Sequence, residues 1–474
     1  MLDVKNSKVR ELLLEGNIGL EKESLRIDKD GYFALTPHPF PEDSFIVRDF
    51  CENQTEINTA VTGSVCEAME QLKFHTLRIQ KTLAGLEEPE YLWPFSNPPY
   101  IRKENEIPIA EYKDEEIHKK NYRYYLSDRY GRYKMTFSGI HFNYSFSDDL
   151  LYEDFITKYK DASEYDETRL KEEYRKYKDS FYMSLAAKAQ VYNWLIVAIT
   201  AASPLLDSSY VEKGVTGKDI FNGMGSTRCS ELGYWNMFTP ILDYSDIGHY
   251  VDSILKYVEQ GLIHSSAELY YPVRLKPAGV YNLEDLKNKG VSHIELRMID
   301  LNPLTPWGIE EKDVHFIKLL LSYLAATPEI NVDAGEQVFA IQNTKNAAHY
   351  DLKTVNVVTP DHRTLWVADA AIEVLKDMKS FYREVYKTSG TDISNELSLI
   401  EDVLDYQTAK FEDANNRYAW KVREQFADGF VEKGLRLCKE RAEEKGFELC
   451  KENKDKKVTE ELDSDISPQK VKVS

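Results

Sequence analysis

The sequence lacks any hydrophobic run long enough to cross a bilayer. Its longest apolar stretch, WLIVAITAA at residues 194–202, falls well short of the roughly 20 residues that a transmembrane helix needs. The N-terminal segment MLDVKNSKVRELLLEGN carries charge from Asp3 onward and has no continuous apolar core, unlike a secretory signal peptide. We therefore expect a cytoplasmic protein with no membrane partner.

Positive charge is outnumbered by negative charge. The 474 residues include 60 Lys and Arg against 80 Asp and Glu, which gives a formal net charge of −20, and no Lys/Arg-rich block is present. Such a surface would repel the phosphates of a nucleic acid, so we expect no nucleic-acid partner. The composition, with 42% hydrophobic and 30% charged residues, is that of a globular protein.

Cysteine is rare, and its pattern excludes two kinds of site. The five cysteines are Cys51, Cys66, Cys229, Cys438 and Cys450. Their odd number and the absence of a CxxC pair favour reduced thiols over a disulfide framework, and the spacing does not suit zinc. Cys229 lies beside Arg228, but no His or Asp partner at a recognisable spacing supports a nucleophilic thiol.

Three segments predict β-strands that carry polar pairs on one face, because side chains two positions apart share a face. The pairs are Glu21 with Glu23 in GLEKESLRI, His141 with Asn143 in KMTFSGIHFNYSF, and Glu295 with Arg297 in SHIELRMID. Each pair alone is also typical of a solvent-facing surface or a structural histidine. Together they indicate a site for hard divalent cations, since adjacent carboxylates stay ionised only in water or around cations.

A fourth segment, IVRDFCENQTEIN at residues 46–58, adds two further carboxylates. Asp49 and Glu56 are seven positions apart, so an unbroken strand would point them to opposite faces. If both serve one site, the chain must bulge or turn between them, and we predict that irregularity at Asn53–Gln54.

Helical patterns surround these strands and dominate the last third. A capping box, Ser64-x-x-Glu67, opens a helix over residues 64–85. A buried helix is predicted over 182–202, an amphipathic one over 245–261, and long helices from residue 314 onward, notably 365–387 and 410–445. We therefore expect an α+β fold with a mainly antiparallel sheet. It would form a single domain over 1–450, sheet-rich over 16–307 and helical over 308–450, before a disordered tail over 451–474.

Six segments resemble, in order, blocks of bacterial-type glutamate–cysteine ligase (γ-glutamylcysteine synthetase). They are GLEKESLR, RDFCENQTE, YRYYLSDRYGRYKMTFSGIHFNYS, STRCSELGY, ELYYPVR and IELRMIDLNP, and they span about residues 16–307. The resemblance implies a glutamine synthetase-like fold, in which a curved antiparallel sheet forms a funnel with helices packed outside. No block in the C-terminal third is matched.

The resemblance also implies an activity. ATP would phosphorylate the γ-carboxylate of L-glutamate, and the amino group of L-cysteine would then displace phosphate, giving the first intermediate of glutathione synthesis. The missing Walker-type glycine loop agrees with this family's unusual ATP site. Some members add a second, ATP-grasp domain that completes glutathione. We expect this chain to make γ-glutamylcysteine only.

The resemblance assigns roles residue by residue. Two or three Mg²⁺ ions, or Mn²⁺, would be held by six ligands: Glu21, Glu23, Asp49, Glu56, His141 and Glu295. Arg297 would contact the phosphates of ATP, Arg123 would assist the nucleotide, and Arg228 would bind the glutamyl carboxylate or the transferring phosphoryl group. Glutamate would also meet Asn143. The cysteine pocket would consist of Tyr122, Tyr234 and Tyr270 with Phe50 as a wall.

Alternatives to this activity stay open. A related carboxylate–amine ligase would keep the acyl-phosphate machinery and couple glutamate to another amine. A non-catalytic protein that stores divalent cations would also collect carboxylates, but Arg228 and Arg297 disfavour it, because fixed positive charges weaken cation binding. The amide-rich segment from Gln342 to Asn346 either lines the nucleotide pocket or forms a helix-capping loop, and we favour the loop.

Overall fold

The computed structural model of the chain describes residues 1–387 and 394–443. Its strands are Gly16–Ile27 (β1), Ile46–Arg48 (β2), Gln54–Asn58 (β3), Tyr91–Leu92 (β4), Gly139–Phe146 (β5), Leu205–Asp207 (β6), Asp219–Phe221 (β7), Val273–Lys276 (β8), His293–Asp300 (β9), Asn356–Val358 (β10) and Thr364–Trp366 (β11). The predicted tail, residues 451–474, lies outside the described residues, and the expectation of a single domain over 1–450 stays a prediction.

The helices pack around these strands and fill the last third. They are Ser7–Glu11 (α1), Val65–Ala84 (α2), Ile117–Tyr130 (α3), Asp148–Lys158 (α4), Glu167–Thr200 (α5), Ser208–Val211 (α6), Ile247–Glu259 (α7), Leu283–Lys289 (α8), Glu311–Ala326 (α9), Ala334–Ala347 (α10), Val367–Lys387 (α11), Ser394–Glu412 (α12), Tyr418–Phe426 (α13) and Phe430–Glu443 (α14). Across residues 1–387 and 394–443, none of these helices combines the length and apolar character that a membrane crossing requires.

One antiparallel sheet organises the molecule. Its strands lie in the order β2-β3-β1-β5-β9-β8, with β4 paired to β1, and every pairing is antiparallel. The predicted mainly antiparallel α+β fold is therefore confirmed. Along β5, Ile140, Phe142, Tyr144 and Phe146 are buried in the main hydrophobic core. The alternate positions of β5 carry His141 and Asn143, so the sheet has one apolar face and one polar face.

The segment over residues 46–58 forms a hairpin rather than one strand. Strands β2 and β3 pair antiparallel, with Val47 opposite Glu56, and the chain turns between Arg48 and Gln54. Within the turn the Gln54 amide donates to the Cys51 carbonyl at 3.0 Å. The predicted irregularity is confirmed as a turn, and it begins at Asp49.

The capped helix α2 agrees with its sequence signature. The Ser64 hydroxyl accepts a hydrogen bond from the Glu67 amide at 3.1 Å, and Gly85 ends the helix. The buried residues Met69, Leu72 and Ile79 join the main core beneath the sheet. The helix thereby covers the apolar face of the sheet and leaves the polar face to other elements.

The helical predictions are wrong at three places. The helix predicted over 182–202 in fact begins at Glu167. The exposed first half of α5 carries no apolar stripe, so the sequence pattern does not reveal it. The predicted helix over 410–445 is broken twice: at Ala414–Asn416 between α12 and α13, and between α13 and α14, where Asp428 and Gly429 adopt positive φ of 57° and 121°. The predicted helical region also contains the hairpin β10–β11.

The amide-rich segment is not a loop. Gln342 to Asn346 lie within α10, where the Asn343 amide donates to the Val358 carbonyl at 2.7 Å and its oxygen accepts from the Val358 amide at 2.9 Å. The amides therefore fasten β10 to the helix. Side chains that bond to the backbone of a neighbouring strand do not oppose helix formation, and this is why the loop prediction is wrong.

The cysteines depart from expectation at one position. Cys51, Cys229 and Cys438 are buried free thiols, as predicted. Cys66 is disulfide-bonded, which contradicts the prediction of reduced thiols throughout. Cys450 lies outside the described residues. A disulfide of this kind leaves no mark in cysteine spacing alone.

Candidate active site

Strand register brings the predicted polar pairs together on one face of the sheet. Glu21 on β1 lies opposite His141 on β5, and Asn143 lies opposite Glu295 on β9. The His141 Nδ1 and Glu21 Oε2 atoms are 2.8 Å apart, and the Asn143 amide donates to Glu21 Oε1 at 2.9 Å. An irregularity in the β5–β9 pairing lies at His141.

Three of the predicted metal ligands converge closely. Glu21, His141 and Glu295 each offer one ligand atom, and these atoms lie within 4.8 Å of one another. The Glu23 carboxylate lies 3.9 Å from His141 Nε2 on the same face. Carboxylate oxygens with one imidazole form a donor set that Mg²⁺ tolerates and Mn²⁺ accepts more readily.

Glu23, Glu56 and Asp49 form the second half of the acidic cluster. Glu56 on β3 lies opposite Glu23 on β1. Burial and then the charge of Asp49 raise the pKa of Glu23 to about 8, although the Gly139 amide donates to its carboxylate at 2.9 Å. Burial, Asp49 and the neighbouring glutamates also raise the pKa of Glu56 well above its usual range. Glu23 and Glu56 therefore need a proton or a cation beside them.

Positive side chains border the acidic cluster on the β9–β8 side. Arg297 donates to Glu295 Oε2 at 2.9 Å, and Lys276 Nζ lies 2.7 Å from Glu295 Oε1 and 3.6 Å from Glu21 Oε1. Burial alone would raise the pKa of the Glu295 carboxyl, but Arg297, Lys276 and Arg274 hold it well below its usual range. Glu295 is therefore ionised despite being fully buried.

Lys276 and Arg274 were not predicted from the sequence. Both lie on β8, two positions apart, with Arg274 opposite Glu295 and Lys276 opposite His293. The alternation in VRLK carries the signal, since the two charges share one face. What the sequence does not contain is the pairing of β8 with β9, and that pairing decides which face they join.

Arg228 reaches the site from the loop before Tyr234 and packs against the start of β5. Its guanidinium donates to the Arg297 carbonyl at 2.7 Å. A Cβ atom at Gly139 would overlap the Arg228 guanidinium, so glycine is what permits this close approach. The Gly139 amide donates to Glu23, which places the Arg228 guanidinium beside the acidic cluster.

The three predicted pocket tyrosines lie in one aromatic cluster. The rings of Tyr234 and Tyr270 are 3.9 Å apart, and Tyr130 contacts both edge-on at 5.9 and 5.6 Å. Tyr122 packs with them against the apolar cluster that contains the buried Phe50. The hydroxyls of Tyr122 and Tyr270 are buried without a well-formed hydrogen bond. Buried hydroxyls of this kind are suited to receiving a polar ligand.

Arg123 lies at the edge of this arrangement. Its Nε donates to the Asp49 carbonyl at 2.6 Å, and its guanidinium stacks over the Tyr112 ring at 4.8 Å. These contacts hold α3 against the turn that carries Asp49. The predicted assistance to a nucleotide stays a prediction.

Cys229 does not have the surroundings of a reactive thiol. Its side chain is buried, and burial together with the charge of Asp300 raises its pKa to about 12. A thiol that is protonated at neutral pH is a poor nucleophile. The sequence-based rejection of a catalytic role for Cys229 agrees with this environment.

Comparisons with a family model and with known sequences agree on one family. The glutamate–cysteine ligase family model matches residues 1–260 and 235–347. A glutathione biosynthesis bifunctional protein GshAB of Listeria welshimeri is 32% identical over 453 residues, covering 93% of this chain and 56% of that protein. A glutamate–cysteine ligase of Clostridium acetobutylicum is 33% identical over 356 residues, covering 65% of this chain and 71% of that protein. The chain thus spans about half the length of the bifunctional relatives it matches.

Solved structures share the fold. A bifunctional glutathione synthetase from Pasteurella multocida superposes with a TM-score of 0.73 at 25% identity, covering 92% of this chain and 53% of that one. A glutamate–cysteine ligase from Francisella tularensis, solved in complex with AMP, superposes with a TM-score of 0.76 at 20% identity, covering 95% and 92% of the two chains. At these identities the likeness concerns the fold.

Proposed function

The chain belongs to the glutamate–cysteine ligase family, and on that premise we propose that it joins L-glutamate to L-cysteine at the expense of ATP. The γ-phosphoryl group of ATP is transferred to the glutamate γ-carboxylate, and ADP leaves. The cysteine amine then attacks the γ-carbonyl, phosphate leaves and the amine loses a proton, which gives γ-glutamylcysteine, the first intermediate of glutathione biosynthesis. The cytoplasm, where ATP is abundant, is the proposed location.

The observation that carries this proposal is a carboxylate–histidine cluster on one face of the sheet, with two arginines and a tyrosine cluster beside it. A carboxylate–histidine cluster lies within a few ångströms of Arg297, and Arg228 bonds to the Arg297 carbonyl. The rings of Tyr234 and Tyr270 are in contact, and the charge of Asp49 in the acidic cluster acts on the Tyr234 hydroxyl. Phosphoryl transfer between two anions requires charge neutralisation and positioning, and a compact amino-acid acceptor requires a small, partly polar pocket.

The acidic residues fit divalent cations. Glu21, Glu23, Asp49, Glu56, His141 and Glu295 would hold Mg²⁺ or Mn²⁺. The crowding of these carboxylates favours a bound cation, because Glu23 and Glu56 resist ionisation without one. In addition, the buried Asn143 Oδ1 beside them lacks a hydrogen-bond partner. When bound, the ions would neutralise the phosphate oxygens of ATP.

Two arginines supply fixed positive charge that does not depend on any ion. Arg297, held by Glu295 at 2.9 Å, would contact the phosphates of ATP. Arg228, fixed by its bond to the Arg297 carbonyl, would bind the glutamyl carboxylate or the phosphoryl group in transfer. Asn143 would help to bind glutamate, and Arg123 would assist the nucleotide. Guanidinium groups suit this work because they stay charged and donate in a planar fork.

The tyrosine cluster would receive cysteine. Tyr122, Tyr234 and Tyr270 offer flat apolar faces to the CH₂–SH group and hydroxyls to the carboxylate, and Phe50 closes one wall. Burial raises the pKa of all three hydroxyls, so they remain protonated donors at neutral pH.

A coupled assay of ADP release tests the proposal. The chain is supplied with ATP, Mg²⁺ and glutamate, and kcat/KM is measured for cysteine, 2-aminobutyrate and ethylamine. We expect cysteine to be preferred, with 2-aminobutyrate next because it keeps the carboxylate and the shape. Preference for ethylamine would replace the proposal with a ligase for simple amines. No ADP release that depends on glutamate and an amine would favour a cation-binding protein without activity.

A further inference from the structure

The three pocket tyrosines come from three separate segments of the chain. Tyr122 lies on α3, Tyr234 in the loop after Arg228, and Tyr270 in the segment before β8. A pocket assembled from three segments keeps its shape only if something fixes the segments to one another. The described structure contains a buried carboxylate at the point where they meet, that of Glu268.

Glu268 is fully buried and binds α3 through two neighbouring residues. Its Oε1 accepts the Tyr130 hydroxyl at 2.7 Å and lies 3.0 Å from Arg129 Nε. Its Oε2 accepts a hydrogen bond from the backbone amide of His264 at 2.6 Å. This bond holds together the turn at residues 264–268, which leads to Tyr270. Both carboxylate oxygens are therefore used, and a pairing of this kind is strong when it is removed from water.

The loop that carries Tyr234 is joined to the same point by Asn236. The Asn236 amide donates to the Glu268 carbonyl at 2.8 Å and approaches the Tyr130 hydroxyl at 3.4 Å. Its oxygen accepts the Tyr270 backbone amide at 2.8 Å. Each segment with a pocket tyrosine thus has a direct bond into a network centred on Glu268.

The charge of Glu268 also acts on the hydroxyls. Burial and then the hydrogen bond to Glu268 raise the pKa of Tyr130 to about 12. Burial and then the Glu268 charge raise the pKa of Tyr122 above its usual range. A negative charge behind the cluster keeps the hydroxyls in their donor form.

We propose that Glu268 is a positioning residue for the amino-acid acceptor: through Tyr130, Arg129, His264 and Asn236 it fixes the distances among Tyr122, Tyr234 and Tyr270, and so sets the affinity for cysteine. Glu268 does not touch the substrate in this assignment. The inference rests on the proposed function, because it needs the tyrosine cluster to be the cysteine pocket.

Glu268→Gln tests the assignment with little change in volume. An amide offers one acceptor in place of two, so its NH₂ group must face either the His264 amide or the Tyr130 hydroxyl and Arg129. We expect KM for cysteine to rise roughly tenfold, as the loss of one buried charge-assisted bond predicts. KM for glutamate and for ATP should stay within about twofold of the wild-type values, and kcat at saturating cysteine within about threefold.

Tyr130→Phe provides a second, milder variant that keeps the ring contacts to Tyr234 and Tyr270. It removes one bond to Glu268, so the KM for cysteine should rise in the same direction by a smaller factor. If Glu268→Gln does not fold, this variant decides the question alone. The matched control is Asp313→Asn, because Asp313 is also buried and bonded to a tyrosine and a lysine, Tyr418 and Lys410, in the C-terminal helices. It should lower Tm without changing KM for cysteine.

Three results would overturn the assignment. The first is an unchanged KM for cysteine in a folded Glu268→Gln variant, or in Tyr130→Phe if that variant alone folds. The second is an equal rise of all three KM values. The third is a selective rise in the Asp313→Asn control. If the wild-type chain forms no γ-glutamylcysteine, both the proposed function and this inference fail. If it forms the dipeptide and the variants show no selective effect, only the inference fails.

Discussion

At the scale of single residues, Glu21 and Glu295 show how one chemistry occurs in two environments. Both lie in the acidic cluster beside His141. The Glu21 side chain is 22% exposed, whereas the Glu295 side chain is fully buried among Lys276, Arg274 and Arg297. The sequence alone treats the two as equivalent strand carboxylates, so it predicts that either amide variant leaves the fold intact. The buried ion pairs require a different expectation for Glu295.

We predict that Glu21→Gln and Glu295→Gln both abolish turnover but differ in stability. Replacing Glu295 leaves buried cations without their counter-charge, which should cost about 3 kcal/mol of unfolding free energy. Replacing the partly exposed Glu21 should cost less than about 1 kcal/mol. Denaturant unfolding with a parallel ADP-release assay measures both effects. Near-normal turnover of either variant at saturating Mg²⁺ would contradict its assignment as a ligand.

A second residue-scale prediction concerns Tyr234. Tyr234→Phe keeps the ring that contacts Tyr270 at a centroid distance of 3.9 Å and removes only the hydroxyl. KM for cysteine should rise roughly fivefold, in line with the loss of one hydrogen bond of about 1 kcal/mol, while KM for glutamate changes little. Tyr382→Phe is the control, because it removes a hydroxyl that donates to the Leu319 carbonyl in the helical region. An effect of Tyr234→Phe confined to ATP would contradict the placement of the pocket.

At the scale of elements, the alternation of side chains along strands is the pattern that predicts most of the candidate site. It identified which face of β1, β5 and β9 bears Glu21, His141 and Glu295, because that face depends only on the period of two. It did not identify Lys276, since the edge strand β8 joins the site through a pairing that local sequence does not encode. The break between α13 and α14 is missed for a related reason: Asp428 and Gly429 separate these helices through their backbone conformation, which apolar periodicity does not report.

The close contact between β5 and the Arg228 loop yields an element-scale prediction. In Gly139→Ala the new methyl group would meet the Arg228 guanidinium, so the arginine must move away from the strand. We expect activity to fall by at least about 100-fold, as expected when a positioning group is displaced by about an ångström. Gly63→Ala is the control, because a Cβ atom added at Gly63 would have nothing within 4 Å. Wild-type kcat/KM in Gly139→Ala would show that Arg228 is not needed where it lies.

At the scale of the whole molecule, the net charge of −20 and the crowding of carboxylates in the acidic cluster both favour the binding of cations.

The family resemblance over residues 16–307 is recognisable in the sequence because its blocks surround the polar sheet face, and the family match extends to residue 347. The C-terminal helices carried no recognisable block, since packing helices such as α12 and α13 require only an apolar stripe. Their buried Asp313–Lys410 pair is a feature of tertiary structure alone.

The acidic cluster makes the stability of the whole molecule depend on pH and on divalent cations together. The pKa of Glu23 is raised from 4.5 to about 8, and that of Glu56 is also raised well above 4.5, so the folded protein holds protons that the unfolded chain releases over this range. Without metal, the free energy of unfolding should therefore fall as pH rises from about 5 to 8, by up to ~1.4 kcal/mol per pH unit for each group.

Divalent cations should reverse this dependence, because they bind the ionised carboxylates and protons compete with them. The increase in Tm on adding roughly 5 mM Mg²⁺ should be larger at about pH 8 than at about pH 5.5, relative to EDTA at matched ionic strength. Glu21→Gln should lose most of the increase at the higher pH while keeping most of the pH dependence in EDTA, since it removes a ligand but leaves burial and Asp49, the two largest causes of the raised pKa of Glu23 and Glu56, in place. An equal increase in Tm with Mg²⁺ at both pH values would mean that Glu23 and Glu56, the carboxyls with a raised pKa, do not take part in cation binding.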